Sequence, residues 1–458
     1  MNRVETFDII VIGSGGGVKV ALPCAAAGLK TALIERDACG GTCLNRGCIP
    51  SKMLIYPCEQ VVRMRRSAGL NIRGAQDASV DFSALVRRTS ETVDAMSAGL
   101  EKRFSNNPPL ELIKGSAGFV GNRTICVNGR LLSAPQIIIA TGSRPMVPDI
   151  PGLAETPFMT SREALRCEKL PRKLLVIGGG YIAVELGFVY ATAGSDVTFL
   201  VRSRLLRKED PEIAAEFSRE FTRHHNVLEG VDFLSVDHSS GVFTVEALDA
   251  AGKQLSLKAD GLLVAAGVVP ETVDLALDNA GIKTTEDGYI AVDDFMETTV
   301  PGIYAIGDVA GKYLFRHTVN YEGEYLERLL LAKAARVPLD YGPVPHAVYS
   351  SPEVAGVGLT EPEARAAGYD CITGVARYAE SNPGAARGLE HGICKLIFDR
   401  ASQRLLGAHI CGEEAAAIVH MLIVAMKNRA TLNDLRDIIV IHPALPEVVR
   451  DAWRGVRD

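Results

Sequence analysis

Cys43 and Cys48 lie five residues apart in the stretch Gly40–Lys52, GGTCLNRGCIPSK, behind a pair of glycines. If the segment opens a helix, the two sulfurs fall roughly one turn apart, near enough for a bridge once the first turn distorts. Such a bridge would be reducible rather than structural. A helix N-terminus also favours a thiolate through its exposed N–H groups and dipole. Lys52 follows four residues after Cys48, on the same face. Disulfide exchange further needs a group that takes a proton from an incoming thiol or returns one to a leaving thiolate, and histidine has a suitable ordinary pKa. That histidine needs an acceptor to fix its tautomer, and His442 with Glu447, in the segment HPALPE, fits the pair. Alone, neither feature decides the chemistry. Two cysteines at this spacing are more often separate small buried side chains, and a single histidine is more often structural.

The elements around these residues narrow the reading. Phe7–Ile12 reads as a strand, Gly13, Gly15 and Gly17 turn it into a helix running toward Gly28, and a second strand from Thr31 ends at Glu35. Strand, glycine turn, helix, strand and acid together form a dinucleotide fingerprint. The glycines let the backbone approach a pyrophosphate at the helix N-terminus, and the acid accepts ribose hydroxyls. Val18 occupies the third glycine position, which should loosen helix-to-strand packing. The pattern repeats from Lys173 with Gly178, Gly180 and Ala183, a helix through Ala193 and a strand Asp196 to Val201, so two dinucleotides are expected. Where an NAD site would place an acid stands Arg202, with Arg204 and Arg207 behind it. Cations there suit a 2′-phosphate and argue for NADP, the alternative being a solvated surface turn.

Between the two fingerprints, residues 53 to 110 read as helical, broken near Asn71 to Asp81. Short strands follow at Leu110–Lys114, Thr124–Val127 and Gln136–Ala140, the last closed by Thr141 and Gly142. After the second unit, Asp308 follows a short apolar strand and Gly307, with a helix beginning around His317. From about Pro343, strands at Ala347–Tyr349, Glu353–Gly358, Ile393–Asp399 and Arg404–Ile410 precede a helix from Glu413.

With these elements in place, GGTCLNRGCIPSK resembles the redox-active segment of the FAD-dependent pyridine nucleotide-disulfide oxidoreductases, and HPALPE resembles their histidine–glutamate segment. The resemblance covers essentially the whole chain. It implies an α/β fold with two Rossmann-like dinucleotide-binding domains and a C-terminal α+β dimerisation domain. The implied division is residues 1–148 and 272–342 for FAD, 149–271 for the nicotinamide nucleotide, and 343–458 for the subunit interface. It implies FAD, NADP(H) or NAD(H), and a homodimer in which His442 and Glu447 complete the site of the other subunit. Carried over by position, Cys48 faces the flavin and Cys43 exchanges with substrate. Lys52 lies near the flavin with Glu185 as ion-pair partner, Asp308 faces the ribityl chain, and Tyr181 covers the nicotinamide pocket. The implied substrate is a lipoyl group on a carrier protein, with a low-molecular-weight disulfide of the mycothione type as the alternative. A flavin oxidase or transhydrogenase with bystander thiols, or a structural subunit of a lipoyl-carrying complex, belongs to a different class of function.

Composition limits what else the chain could be. At 458 residues it is too long for one core. A formal charge of −6 without a basic block gives no reason to expect nucleic acid or a membrane surface. No signal peptide or spanning run is evident, which points to the cytoplasm. In that setting ten cysteines are not a disulfide framework. The eight outside the pair read as unpaired thiols, with Cys39 and Cys58 close enough to it to need checking. No cysteine follows Cys411, which disfavours family members that use a C-terminal cysteine pair.

Overall fold

A computed structural model describes residues 3–331 and 336–456. The chain divides into two compact units, each assembled from three separate segments. The first comprises Met1–Ser51, Arg87–Met146 and Val268–Tyr341, and the second Lys52–Val86, Val147–Gly267 and Gly342–Asp458.

The first unit is built on a five-stranded parallel sheet, in the order Ile303–Ala305, Gln136–Ile139, Ile9–Ile12, Thr31–Glu35, Leu110–Lys114. Its central strand, Ile9–Ile12, is buried along its whole length, as a strand covered on both faces must be. Val11 pairs with Leu33 on one side and Ile138 on the other, which aligns the C-terminal ends where the glycine turn emerges. The helix Val18–Ala26 packs on this sheet and against the helix Arg316–Leu331. A second sheet, Val4–Thr6, Arg130–Ser133, Thr124–Val127 and Ala117–Gly121, is mostly antiparallel. Its strands at Val4–Thr6, Ala117–Gly121 and Arg130–Ser133 escape the sequence reading because each is short and mixed in burial.

The second unit repeats the parallel arrangement with Asn226–Glu229, Asp196–Val201, Lys173–Ile177 and Gly261–Val264. An antiparallel meander, Asp232–Ser239, Val242–Leu248 and Gln254–Ala259, adds three strands that the sequence reading also missed. The C-terminal segment forms a five-stranded antiparallel sheet, ordered Pro345–Val348, Val354–Gly358, Leu405–Cys411, Ile393–Asp399, Cys371–Arg377. Ile393–Asp399 is buried throughout, beneath the helices Ala415–Lys427 and Glu447–Arg454. No helix among the described residues is long and apolar enough to cross a membrane.

Candidate active site

The thiol segment does not form one continuous helix. Gly40 and Gly41 have φ of 106° and 66°, the helix Gly41–Arg46 carries Cys43, Gly47 breaks the run, and a new 19-residue helix starts at Cys48. The break folds the two cysteines toward each other, and their side chains hydrogen-bond as thiols. Cys43 is half-buried and Cys48 exposed. The general expectation of an acidified thiol fails at Cys43. Its hydrogen bond to Cys48, burial and repulsion from Cys48 raise its pKa, against the pull of Arg316. Cys39 and Cys58 take no part in the pair. Cys39 is fully buried in the core of the first unit, whereas Cys58, in the second, lies 3.9 Å from the carbonyl of Val189. Burial raises the pKa of both thiols, that of Cys58 to about 12.

One chain of hydrogen bonds ties this segment to the first glycine turn. Gly40 N–H donates to Ser14 Oγ at 2.9 Å, and the Ser14 hydroxyl donates to Glu35 Oε2 at 2.7 Å. The Ser14 N–H donates to the same oxygen, while Asp37 N–H donates to Oε1. Three of roughly four acceptor positions on Glu35 are thus filled by two backbone N–H groups and the Ser14 hydroxyl, leaving capacity for a ribose hydroxyl. Asn45 braces the loop by donating to the carbonyls of Cys39 and Gly41 at 3.1 and 3.0 Å. Gly41 also packs on the turn itself, because a Cβ there would stand 2.7 Å from Gly15 Cα.

Val18 does not loosen the packing, contrary to expectation, because Gly17 makes the close approach. A Cβ on Gly17 would lie 2.4 Å from Gly13 O and 2.6 Å from Val11 Cγ1. Gly13, at φ +105°, has equally little room, with Ala140 O at 2.3 Å from its would-be Cβ. On the neighbouring edge, Thr141 donates to Glu271 O at 2.8 Å, and Gly142 O accepts from Glu271 N–H at 2.9 Å. Asp308 accepts the Ser143 hydroxyl at 2.5 Å, and burial raises its pKa. Its turn is held from below by the fully buried Glu322, which accepts Gly307 N–H at 2.6 Å and the Tyr341 hydroxyl at 2.7 Å. Ser14, Ser143, Glu322 and Tyr341 were not assigned to the site from sequence. For Ser14 the signal was there, a hydroxyl inside the fingerprint turn. A glycine-rich turn at the start of a nine-residue helix, an acid with acceptor capacity and a second carboxylate near the same sheet edge fit the phosphates and polyol of FAD.

In the second unit the same turn recurs. Gly178, at φ +137°, has Ala265 O 2.3 Å from its would-be Cβ, and Gly180 opens the helix Tyr181–Ala193 with free space beside it. Lys52 and Glu185 meet, with Nζ 2.9 and 2.8 Å from the two carboxylate oxygens. Tyr349 joins them, its N–H donating to Glu185 at 3.2 Å and its ring lying 4.5 Å beneath Lys52 Nζ. The Tyr181 hydroxyl donates to Glu209. Arg202 and Arg207 are exposed, and the backbone carbonyl of Arg207 accepts from Arg204 at 3.3 Å. His442 Nδ1 lies 2.8 Å from Glu447 Oε1. Glu447 is wholly buried, also binds Arg450, and is held below its usual pKa range by its hydrogen bonds to His442 and Arg450, against the cost of burial. The His442 side chain is 59% exposed, so an oriented ring presents Nε2 outward.

Residues 7–334 match the family model described as pyridine nucleotide-disulphide oxidoreductase, and residues 344–453 match its dimerisation domain. The chain belongs to the pyridine nucleotide-disulphide oxidoreductase family. It is therefore an FAD-dependent disulfide oxidoreductase that uses NAD(P)H as its pyridine nucleotide, and it carries the family's dimerisation domain. By sequence it is 34% identical to a mercuric reductase of Staphylococcus aureus, over 95% of this chain and 80% of that one. It is 35% identical to the dihydrolipoyl dehydrogenase of Chlorobaculum tepidum (97% and 96%) and 34% identical to the mycothione reductase of Mycobacterium tuberculosis (99% and 100%). Among solved structures, the HOCl-induced flavoprotein disulfide reductase RclA of Escherichia coli superposes with a TM-score of 0.87 at 30% identity, covering 98% of this chain and all of that one.

Proposed function

We propose that this family member exchanges electrons between a nicotinamide nucleotide and a lipoyl group on a carrier protein, working as a cytoplasmic homodimer. The observation that carries the exchange chemistry is the contact between Cys43 and Cys48 across the Gly47 break. The alignment with dihydrolipoyl dehydrogenases over nearly the whole of both chains supports the lipoyl substrate. When bound, FAD supplies two-electron exchange between the nicotinamide and the cysteine pair. In the oxidising direction, a dihydrolipoyl thiol gives its proton to His442 of the partner subunit and attacks Cys43 Sγ of the oxidised pair, releasing Cys48 as thiolate. The second lipoyl thiol then attacks the lipoyl sulfur of the mixed disulfide, its proton passing to the departing Cys43 Sγ, so the lipoyl disulfide forms and the pair is left reduced. Glu447 holds the ring so that Nε2 handles these protons. The exposed apolar side chains Val424, Ile438, Ile439 and Ile441, the last three just before His442, support a second copy of the chain covering this region. Lys52 and Asp308 are assigned to the flavin, Tyr181 to the nicotinamide, and Arg202 and Arg207 to a 2′-phosphate.

The same thiol chemistry supports a second reading, reduction of a low-molecular-weight disulfide, favoured by HPALPEVV and the arginines after Val201. Steady-state turnover of the purified holoenzyme separates the two, with each nucleotide paired with dihydrolipoamide, lipoamide and mycothione. Lipoyl turnover abolished by Cys43→Ser, with flavin reduction by NAD(P)H retained, is the expected outcome. Mycothione turnover alone would transfer the assignment to the second reading. Preference for NADP(H) that is lost in Arg202→Ala would support the phosphate assignment.

A further inference from the structure

Three side chains from distant parts of the second unit converge on one buried point. Glu209 follows the second fingerprint, His346 lies on the strand Pro345–Val348, and His409 lies on Leu405–Cys411. One ligand atom from each comes within 4.8 Å of the others. His346 Nε2 is 2.8 Å from Glu209 Oε2. His409 Nε2 lies 3.0 Å from the carbonyl of Leu359, which can only accept, so Nε2 carries the proton and Nδ1 the lone pair. That Nδ1 has no hydrogen-bond partner although His409 is completely buried. A buried imidazole nitrogen without a partner carries a cost unless something binds it.

The backbone comes close to both rings at a position without a side chain. Gly356 stands beneath them, and a Cβ there would lie 2.6 Å from His409 Nδ1 and 2.9 Å from His346 Nε2. The outer contacts match those that orient metal ligands, because Leu359 O fixes the His409 tautomer and the Tyr181 hydroxyl donates to Glu209. We propose that Glu209, His346 and His409 form a binding site for a divalent transition metal of the zinc class. Two imidazoles and a carboxylate are a known zinc donor set that leaves a fourth position for water. Bonds of about 2.0–2.1 Å place tetrahedral ligands about 3.3 Å apart, so the cluster closes by roughly 1.5 Å at its widest. The ion replaces the proton shared by His346 Nε2 and Glu209, and that proton passes to solvent. The His346 side chain, 17% exposed, gives the ion access.

The test uses the full-length FAD-loaded protein with Cys43→Ser and Cys48→Ser, which removes competing thiolates. Zinc binding is measured by equilibrium dialysis, and Co2+ is the spectroscopic probe, read above 500 nm where FAD does not absorb. The expected result is one tight equivalent per chain with a Co2+ spectrum free of thiolate bands. His346→Asn and Glu209→Gln should each weaken binding by at least about tenfold, and Gly356→Ala should weaken it with all three ligands intact. FAD content and far-UV circular dichroism verify that each variant is folded. Absence of binding at 100-fold molar excess of zinc, or equal binding in the parent and in folded Glu209→Gln and His346→Asn, would overturn the proposal.

Discussion

Replacing Lys52 with methionine tests whether the Lys52–Glu185 pair is a structural necessity of the second unit. The Glu185 side chain is 10% exposed, and its carboxylate is contacted by Lys52 Nζ at both oxygens and by Tyr349 N–H at one. Breaking a fully buried pair costs about 3–5 kcal/mol because a buried charge is left behind, whereas an exposed pair is worth about 0–1 kcal/mol. Lys52 is 37% exposed, so solvent screens part of the interaction. The intermediate figure is about 1.5–3 kcal/mol for Lys52→Met. At about 2 °C per kcal/mol for a unit of this size, the melting temperature should fall by roughly 3–6 °C. Lys52→Met/Glu185→Gln should recover half or more of that loss, because no charge then remains buried without its partner. Differential scanning fluorimetry of the parent, both single variants and the double variant gives the cycle. A Lys52→Met melting point within 0.5 °C of the parent, or strictly additive losses, would refute the reasoning.

Two further outcomes follow from the same structure. Glu447→Gln keeps the size of the buried side chain but removes the charge that accepts from His442 and Arg450, so kcat for disulfide turnover should fall by about 10²-fold or more. Flavin reduction by NAD(P)H, followed in stopped flow, should change less than about twofold; equal loss in both would remove His442 from the disulfide step. Burial, reinforced by the nearby Glu353, raises Glu59 to a pKa of about 7, and its Oε1 is buried without a partner. The folded protein therefore holds that proton to higher pH than the unfolded chain does, and stability is lost as pH rises from about 4.5 to 7. Glu59→Gln should be more stable than the parent by about 1–2 kcal/mol at pH 8, discounted for partial exposure, and nearly equal at pH 4.5. Equal melting points at pH 8 would show that the carboxylate is solvated.

The sequence by itself determined the local machinery of this protein. Both glycine turns, the strands feeding them and the Cys43–Cys48 spacing are legible because each depends on residues a few positions apart. Close backbone approach demands glycine, buried parallel strands demand continuous apolar runs, and a redox pair demands two thiols within reach. The His442–Glu447 contact joins residues five positions apart, but it was the family resemblance of HPALPE, not the spacing, that singled them out. Tertiary structure decided what those pieces touch. The path from Gly40 through Ser14 to Glu35, the Glu322 brace under Asp308 and the convergence of Glu209, His346 and His409 join positions far apart in the chain. Local periodicity carries no record of such contacts. The helix break at Gly47 lies between these cases. Its glycine is plain in the sequence, but the close contact it creates raises the pKa of Cys43, and that effect follows from the hydrogen bond to Cys48 and from burial, which only the folded chain supplies.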